Sequence, residues 1–413
     1  MRRRVVITGI AGCSPIGNDW PAIRSSLREG HSGVSLTPAF GEVLGMQTRL
    51  GGWVREFSVP DDYPRKKMRT MGRVAQMATV VTAQAIQRAG LEGHPSLHSG
   101  RTGVAYGSTS GSPEALEAYA RQVLLQRSLK GISPNHYIQL MSHTVAANLA
   151  QFFELRGRVI PTCSACTSGS QGIGYAYESV RFGRADCMLA GGAEELHMVD
   201  AAVFDVLFAT STSNSEPIRA PRPFDARRDG LVVAEGACTF VLEELSHARE
   251  RGAPIIGEIL GFASNCDGVH MTQPDARGME SVMRAALADA GVEASAIDYV
   301  GAHATATEVG DIAESQATWA VFGSSTPVSS LKGHMGHTLG ACGALESWMT
   351  LEMLREGWLA PTLHLDEPDP RCAPLDHVRQ APRATSARVA IKNNFAFGGI
   401  NTSLVISPWC NEN

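Results

Sequence analysis

Three segments of this chain set a nucleophile or a proton-transferring side chain among unusually small neighbours. In Pro161-Thr-Cys-Ser-Ala-Cys166-Thr-Ser-Gly-Ser-Gln-Gly, a cysteine lies between an apolar run that reads as a buried strand and a helix whose first residues are small or hydroxylated. At such a helix start, free backbone N–H groups and the positive end of the dipole stabilise a thiolate and lower the thiol pKa, and small neighbours admit a thioester. Taken alone, a cysteine is more often an inert core residue. Two further segments carry histidines in similar settings: Val300-Gly-Ala-His303-Ala-Thr-Ala-Thr-Glu and Ser330-Leu-Lys332-Gly-His-Met-Gly-His337-Thr-Leu-Gly-Ala-Cys-Gly-Ala-Leu-Glu346. One histidine is usually structural, but three such groups, each at the end of an expected strand, point to one site combining a nucleophile with acid–base groups.

Cys163 and Cys166 also form a CxxC, which invites a zinc or dithiol reading. Zinc needs two more ligands, and no second CxxC or histidine pair stands at suitable spacing. A strand running through Cys163 would turn its side chain inward, so no metal is expected.

The elements that must position these groups occur twice in the same order. A β-branched run at Arg4 to Ile10 opens the first half and Pro254 to Ile259 opens the second. Each is followed by a helix with a glycine at its end, Val74 to Ala89 before Gly90 and Ser281 to Ala290 before Gly291. Short strands follow at Thr102 to Tyr106 and Ile297 to Gly301, then at Val159 to Cys163 and Val328 to Leu331. Helices rich in small residues come next, Ser168 to Phe182 and Leu339 to Glu356, and each half closes on a strand pair. Alternating strands and helices imply an α/β protein with a largely buried sheet. The parallel predicts two duplicated βα halves, 1–251 with the nucleophile and 252–413 with both histidines, separated after the charged, helix-like stretch Glu243 to Arg251. A single doubly wound sheet is the simpler alternative.

Composition narrows the class. The 413 residues are 44% hydrophobic and 19% charged, enough for a large core. Neither a signal-peptide core nor a run of eighteen apolar residues is present, so cytoplasm is expected, without membrane insertion. Nine scattered cysteines suit reduced thiols, and a net charge of −5 disfavours nucleic acid as a partner.

Cys166 in Ala-Cys-Thr-Ser-Gly, His303 in His-x-Thr-x-Thr, Lys332 before Gly336-His337, and Phe395-Ala-Phe397-Gly-Gly-Ile-Asn401 together resemble the β-ketoacyl-ACP synthases of the thiolase superfamily. The type II condensing enzymes of fatty acid synthesis are the nearest match. Ser14-Pro-Ile-Gly, Gly191-Gly-Ala-Glu, Arg222-Pro-Phe-Asp and His270-Met-Thr extend the likeness over nearly the whole chain. The resemblance implies a thiolase-like fold in α-β-α-β-α layers and a homodimer. It implies a triad of Cys166, His303 and His337, with Lys332 and Glu346 as supporting charges. It further implies an oxyanion hole from the N–H groups of Cys166 and Phe397, with Phe397 as a mobile gate. The reaction it implies, decarboxylative condensation of an acyl-enzyme with a malonyl thioester, needs no cofactor. Acyl and malonyl groups would arrive on an acidic acyl carrier protein.

Several positions depart from the family pattern. Ala304 and Glu308 replace a usual glycine and proline. Ser110 stands where a bulky acyl-pocket residue is common, and His136 and Gln139 fall in a segment that helps line that pocket. These point to an acyl chain longer, stiffer or more polar than a saturated one, as in polyene, aryl-polyene or polyketide pathways. The basic run with Lys66, Lys67, Arg69 and Arg73, together with Lys130, matches a carrier-protein landing surface, although a solvated helix face is the plainer reading. Ser213 replaces one basic residue expected there.

Other functions fit less well. A thiolase would carry a second reactive cysteine near its C-terminal end, and Cys410 lies outside the Phe395-to-Asn401 motif. A non-catalytic chain-length partner would lack Cys166. A papain-like hydrolase leaves the second histidine and Lys332 with Glu346 unexplained. Gly107-Ser-Thr-Ser-Gly lacks the lysine and spacing of a nucleotide loop.

Overall fold

The computed structural model describes residues 2–410. Eleven strands form one hydrogen-bonded order. They are β1 (Val5–Cys13), β2 (Thr102–Gly107), β3 (Val159–Thr162), β4 (Cys187–Glu194), β5 (Gly236–Glu244), β6 (Gly257–Cys266), β7 (Tyr299–Gly301), β8 (Pro327–Ser329), β9 (Asp376–His377), β10 (Ala390–Ala396) and β11 (Ile400–Pro408). The order β3-β2-β4-β5-β1 is repeated as β8-β7-β10-β11-β6, with β9 added at the far edge. Pairing senses repeat as well: the first three strands of each set are parallel and the last two join antiparallel. The sets meet only where Val5 to Ile7 of β1 pairs with Gly257 to Ile259 of β6.

Six helices give the layers: α1 (Arg73–Arg88), α2 (Thr144–Phe152), α3 (Ser168–Arg181), α4 (Ala276–Ala290), α5 (Glu308–Phe322) and α6 (Cys342–Glu356). Val74, Met77, Val81 and Ala85 bury one face of α1 against Val104, Leu189 and Val241, the outward residues of the first strand set. Val282, Met283 and Ala286 of α4 do the same against Val300, Ile391 and Val405 of the second. Between the sets lies the largest core, where Ile173 and Tyr177 of α3 and Leu345, Trp348 and Met349 of α6 meet inward residues of both, among them Phe240, Leu242, Ile259 and Leu404. Alternate residues of one strand thus face two different cores, as the pleat requires. The result is the expected α-β-α-β-α layering, with α3 and α6 buried from both sides.

Several sequence boundaries move, two of them by enough to matter here. The strand expected at Pro254 to Ile259 starts at Gly257 and runs to Cys266, because its ladder with β11 continues through polar residues that carry no apolar signal. The stretch read as helix-like from Glu243 begins inside β5, and its helix spans only Leu245–Glu250. Among the described residues, no helix is long and apolar enough to cross a membrane.

Candidate active site

Cys166 sits in a single turn, Ala165–Thr167, between β3 and α3. Ala165 adopts φ +48°, a left-handed conformation unusual outside glycine. Hydroxyls fasten the bend: Thr167 Oγ1 donates to Ser164 O at 2.8 Å and Ser168 Oγ to Ala165 O at 2.7 Å. Small residues then let the start of α6 press against the start of α3, since a Cβ on Gly169 would lie 2.7 Å from Gly340 O and one on Gly343 2.7 Å from Ser170 N. This close crossing brings the segment with His337 to Cys166 of the other half.

His337 Nε2 lies 3.0 Å from Cys166 Sγ. The rings of His303 and His337 meet edge to face at 5.1 Å, and one donor atom from each of Cys166, His303 and His337 falls within 4.8 Å of the others. Burial, with help from Lys332, pushes both histidines well below the usual imidazole range. Burial likewise pushes the Cys166 thiol up to about 12, against a smaller downward pull from Lys332. This reverses the sequence expectation of a lowered thiol pKa: desolvation outweighs the neighbouring cation and the helix start. The resting pair is therefore a neutral thiol beside a neutral imidazole, with His337 Nε2 placed to take the sulfur's proton.

Beneath the histidines lies a buried charged floor. Lys332 Nζ is 2.5 Å from Glu346 Oε1 and 3.3 Å from His303 Nδ1. Lys392, from β10, reaches Glu346 Oε2 at 2.7 Å, so one carboxylate bridges two ammonium groups. Glu314 of α5 accepts from the backbone N–H groups of His303 at 2.7 Å and Ala304 at 2.6 Å, fixing the loop that carries the histidine. Asn394 Nδ2 adds a contact to His303 Nδ1 at 3.2 Å. Sequence reading missed Lys392, Asn394 and Glu314. For the first two a signal existed: Lys392-Asn-Asn follows the apolar Val389 to Ile391 in a strand that is buried along almost its whole length between β7 and β11.

The three sulfur and nitrogen donors could in principle ligate a metal. A cation there would face the Lys332 ammonium next to His303, so the charge of the site opposes one. Cys163 belongs to no such group among the described residues. It is exposed and hydrogen-bonds Thr109 O at 2.9 Å, because β3 ends at Thr162 and does not carry Cys163 inward as expected.

Cys166, His303 and His337 open onto a cavity of about 230 Å³, walled by Phe204, Leu231, Met279, Phe395 and Phe397 and edged by Thr272, Thr305 and Thr307. Phe397 rests on Phe204 at 5.3 Å between centroids, and it is followed by Gly398 and Gly399 at φ +89° and +69°. Such a pair supplies backbone freedom beside a ring that lines the cavity. Ser110, His136 and Gln139 do not line this cavity. Ser110 lies in the loop held to Cys163 through Thr109, and that loop meets the helix Pro134–Leu140 where Ser112 N donates to Gln139 O at 2.8 Å.

Of the basic residues, Lys66, Arg69 and Lys130 are exposed and Lys67 pairs with Glu154 at 2.8 Å. Arg73 is not a free surface cation. Its guanidinium lies 2.6 Å from fully buried Glu235, whose carboxylate also accepts from the N–H groups of Val54 and Leu196. Arg73→Ala is thus expected to destabilise the fold by about 3 kcal/mol in chemical denaturation, by stranding a buried carboxylate. Lys66→Ala and Arg69→Ala are expected to change stability by under about 0.5 kcal/mol.

Residues 2–248 match the family model described as the N-terminal domain of β-ketoacyl synthase, and residues 256–366 match its C-terminal domain. The 3-oxoacyl-[acyl-carrier-protein] synthase 1 of Haemophilus influenzae is 36% identical, over 98% of this chain and 99% of its own. A crystal structure of a β-ketoacyl synthase from Burkholderia phymatum is 52% identical and superposes with a TM-score of 0.97 over 99% of this chain and all of that one. The ishigamide ketosynthase/chain length factor is 30% identical, with a TM-score of 0.91 over 99% of this chain and 100% of its own. Full-length matches of this extent, over a thiolase-type fold, show that the chain belongs to the β-ketoacyl synthase family.

Proposed function

We propose that this β-ketoacyl synthase carries its acyl chain on Cys166 and extends it by two carbons with malonyl units delivered on an acyl carrier protein. The observation that carries the reading is the 3.0 Å contact of His337 Nε2 with Cys166 Sγ at the base of a cavity that His303 also lines. In the first step the thiol proton passes to His337 and sulfur attacks the acyl thioester. The carrier leaves as its thiol, and the acyl group is now a thioester of Cys166. Backbone N–H groups of Cys166 and Phe397 hold the tetrahedral oxyanion. In the second step malonyl thioester loses carbon dioxide, and its thioester oxygen takes a hydrogen bond from neutral His303 as the enolate forms, while His337, bare at Nε2 once the carrier has left, stays beside the sulfur. The enolate carbon attacks the acyl-cysteine, the carbon–sulfur bond to Cys166 breaks with its electron pair on sulfur, which takes a proton from water to restore the thiol, and the 3-oxoacyl chain leaves on the second carrier. Lys332 and Glu346 hold charge and orientation. Phe397 swings aside for the acyl chain and returns to exclude water.

Around this chemistry the division into halves 1–251 and 252–413 has a purpose, since one supplies the nucleophile and the other both histidines. A homodimer fits the edge strand β3, whose Val159 is exposed, and the exposed Leu124, Leu125, Leu129 and Tyr137. Ser110, His136 and Gln139 then line an acyl tunnel completed at that interface. Lys66, Lys67, Arg69 and Lys130 meet the acidic carrier in the cytoplasm. A second reading, a specialised ketosynthase working with a chain-length partner subunit on polyene, aryl-polyene or polyketide chains, is favoured by Ser110 and the likeness to the ishigamide ketosynthase/chain length factor.

Incubation of the purified chain with acyl- and malonyl-loaded carrier protein tests the activity. The account expects a 3-oxoacyl carrier two carbons longer with release of carbon dioxide. Product appearing only after a partner subunit is added selects the second reading.

A further inference from the structure

The two histidines beside Cys166 hold their protons differently. Lys332 Nζ has donors only and lies 3.3 Å from His303 Nδ1, so that nitrogen must be the bare acceptor of the ring. The same constraint orients Asn394: only its amide nitrogen, not its oxygen, can face Nδ1 at 3.2 Å. Asn394 Nδ2 also lies 3.3 Å from Cys342 Sγ, and that thiol donates to Cys166 O at 3.3 Å. All four groups are buried, and Asn394 leaves its own Oδ1 without a partner, a cost that needs a compensating role. With Nδ1 bare, the proton of neutral His303 sits on Nε2, which makes no hydrogen bond among the described residues while the ring lines the cavity. His337 contrasts: its Nε2 faces the Cys166 thiol as acceptor, so the proton of the neutral ring sits on Nδ1, which is buried and has no partner among the described residues.

We propose that Asn394 is a positioning residue: with Lys332 it locks His303 in the Nε2–H tautomer aimed at the incoming thioester oxygen, and through Cys342 it ties that ring to the backbone carbonyl of Cys166. The assignment rests on Cys166 as the acyl acceptor and makes His303 a dedicated donor for the decarboxylation step, distinct from the exchange performed by His337.

Asn394→Asp keeps the shape and reverses the hydrogen bond, because a carboxylate only accepts. It draws the proton to Nδ1 and takes Lys332 as its ion-pair partner. The groups facing His303 are Lys332, Lys392, Glu346, Glu314 and His337, so both half-reactions are compared at one and the same pH. Malonyl-carrier decarboxylation is expected to fall about 100-fold in Asn394→Asp, the scale of one lost oxyanion donor, while Cys166 acylation changes less than about threefold. Asn394→Ser keeps a donor and is expected to recover most of the loss. Nitrogen-15 spectra of histidine-labelled wild type should give His303 as the Nε2–H tautomer, a reading that stands even if the aspartate variant does not fold. An Nδ1–H tautomer in wild type, equal loss in both half-reactions, or unchanged decarboxylation overturns the assignment. Wild type that takes no acyl group on Cys166 instead removes the reading beneath it.

Discussion

Replacing Glu346 with glutamine is expected to destabilise the protein by about 3–5 kcal/mol, the range for removing one partner of a buried ion pair. The reason is the charge count beneath the site. Lys332 and Lys392 are buried, and Glu346 is the carboxylate both ammonium groups touch. Without it the two cations face each other out of water, and the protein must strand them or release a proton. Lys392→Met should cost less, because the Lys332–Glu346 pair survives and an apolar side chain fills the space. Lys332→Met should leave Lys392 with Glu346 but lose the donor to His303, so stability falls moderately and turnover falls further. Denaturant midpoints of the three variants, ranked with Glu346→Gln lowest, check the arrangement. Equal midpoints would mean that the floor is not a single charge-compensated unit.

Exchanging the histidines for alanine should separate the two halves of the reaction. His337 touches Cys166, and its loss is expected to slow Cys166 acylation by about 10²–10⁴, the usual worth of a positioned general base. The ring centroid of His303 lies 5.1 Å from that of His337, and its Nδ1 is occupied by Lys332 and Asn394 rather than by sulfur. His303→Ala is therefore expected to leave acylation within about threefold and to lower malonyl decarboxylation about 10²–10³-fold. Rapid-quench acylation and carbon dioxide release measured on the same preparations give both rates. A loss of acylation in His303→Ala as deep as that in His337→Ala would erase the division of labour.

Much of this architecture was legible in the chain because burial leaves a pattern. Apolar runs such as Val5 to Ile10 and Val74 to Ala85, with glycines where helices stop, mark elements that recur in one order, and the strand sets repeat the same topology. The small residues beside Cys166 and His337 were read as room for a thioester, whereas Gly169 and Gly343 are where α3 and α6 touch. What stayed hidden depends on partners across the sheet. Periodicity says that residue 392 is inside, but not that Glu346 waits opposite it. Arg73 was read as part of a charged surface run because nothing local reveals Glu235, more than a hundred positions away. The thiol pKa of Cys166 was misjudged for the same reason: a helix start is visible in sequence, whereas the depth of desolvation is not.

The central claim, that Cys166 accepts the acyl chain, is tested most directly by intact-protein mass spectrometry after incubation with acyl carrier proteins bearing different chains. Wild type is expected to gain the mass of one acyl group per chain, Cys166→Ala none, and the chain type taken up most readily identifies the substrate class. An adduct persisting in Cys166→Ala, or none in wild type with any acyl carrier, would contradict the account.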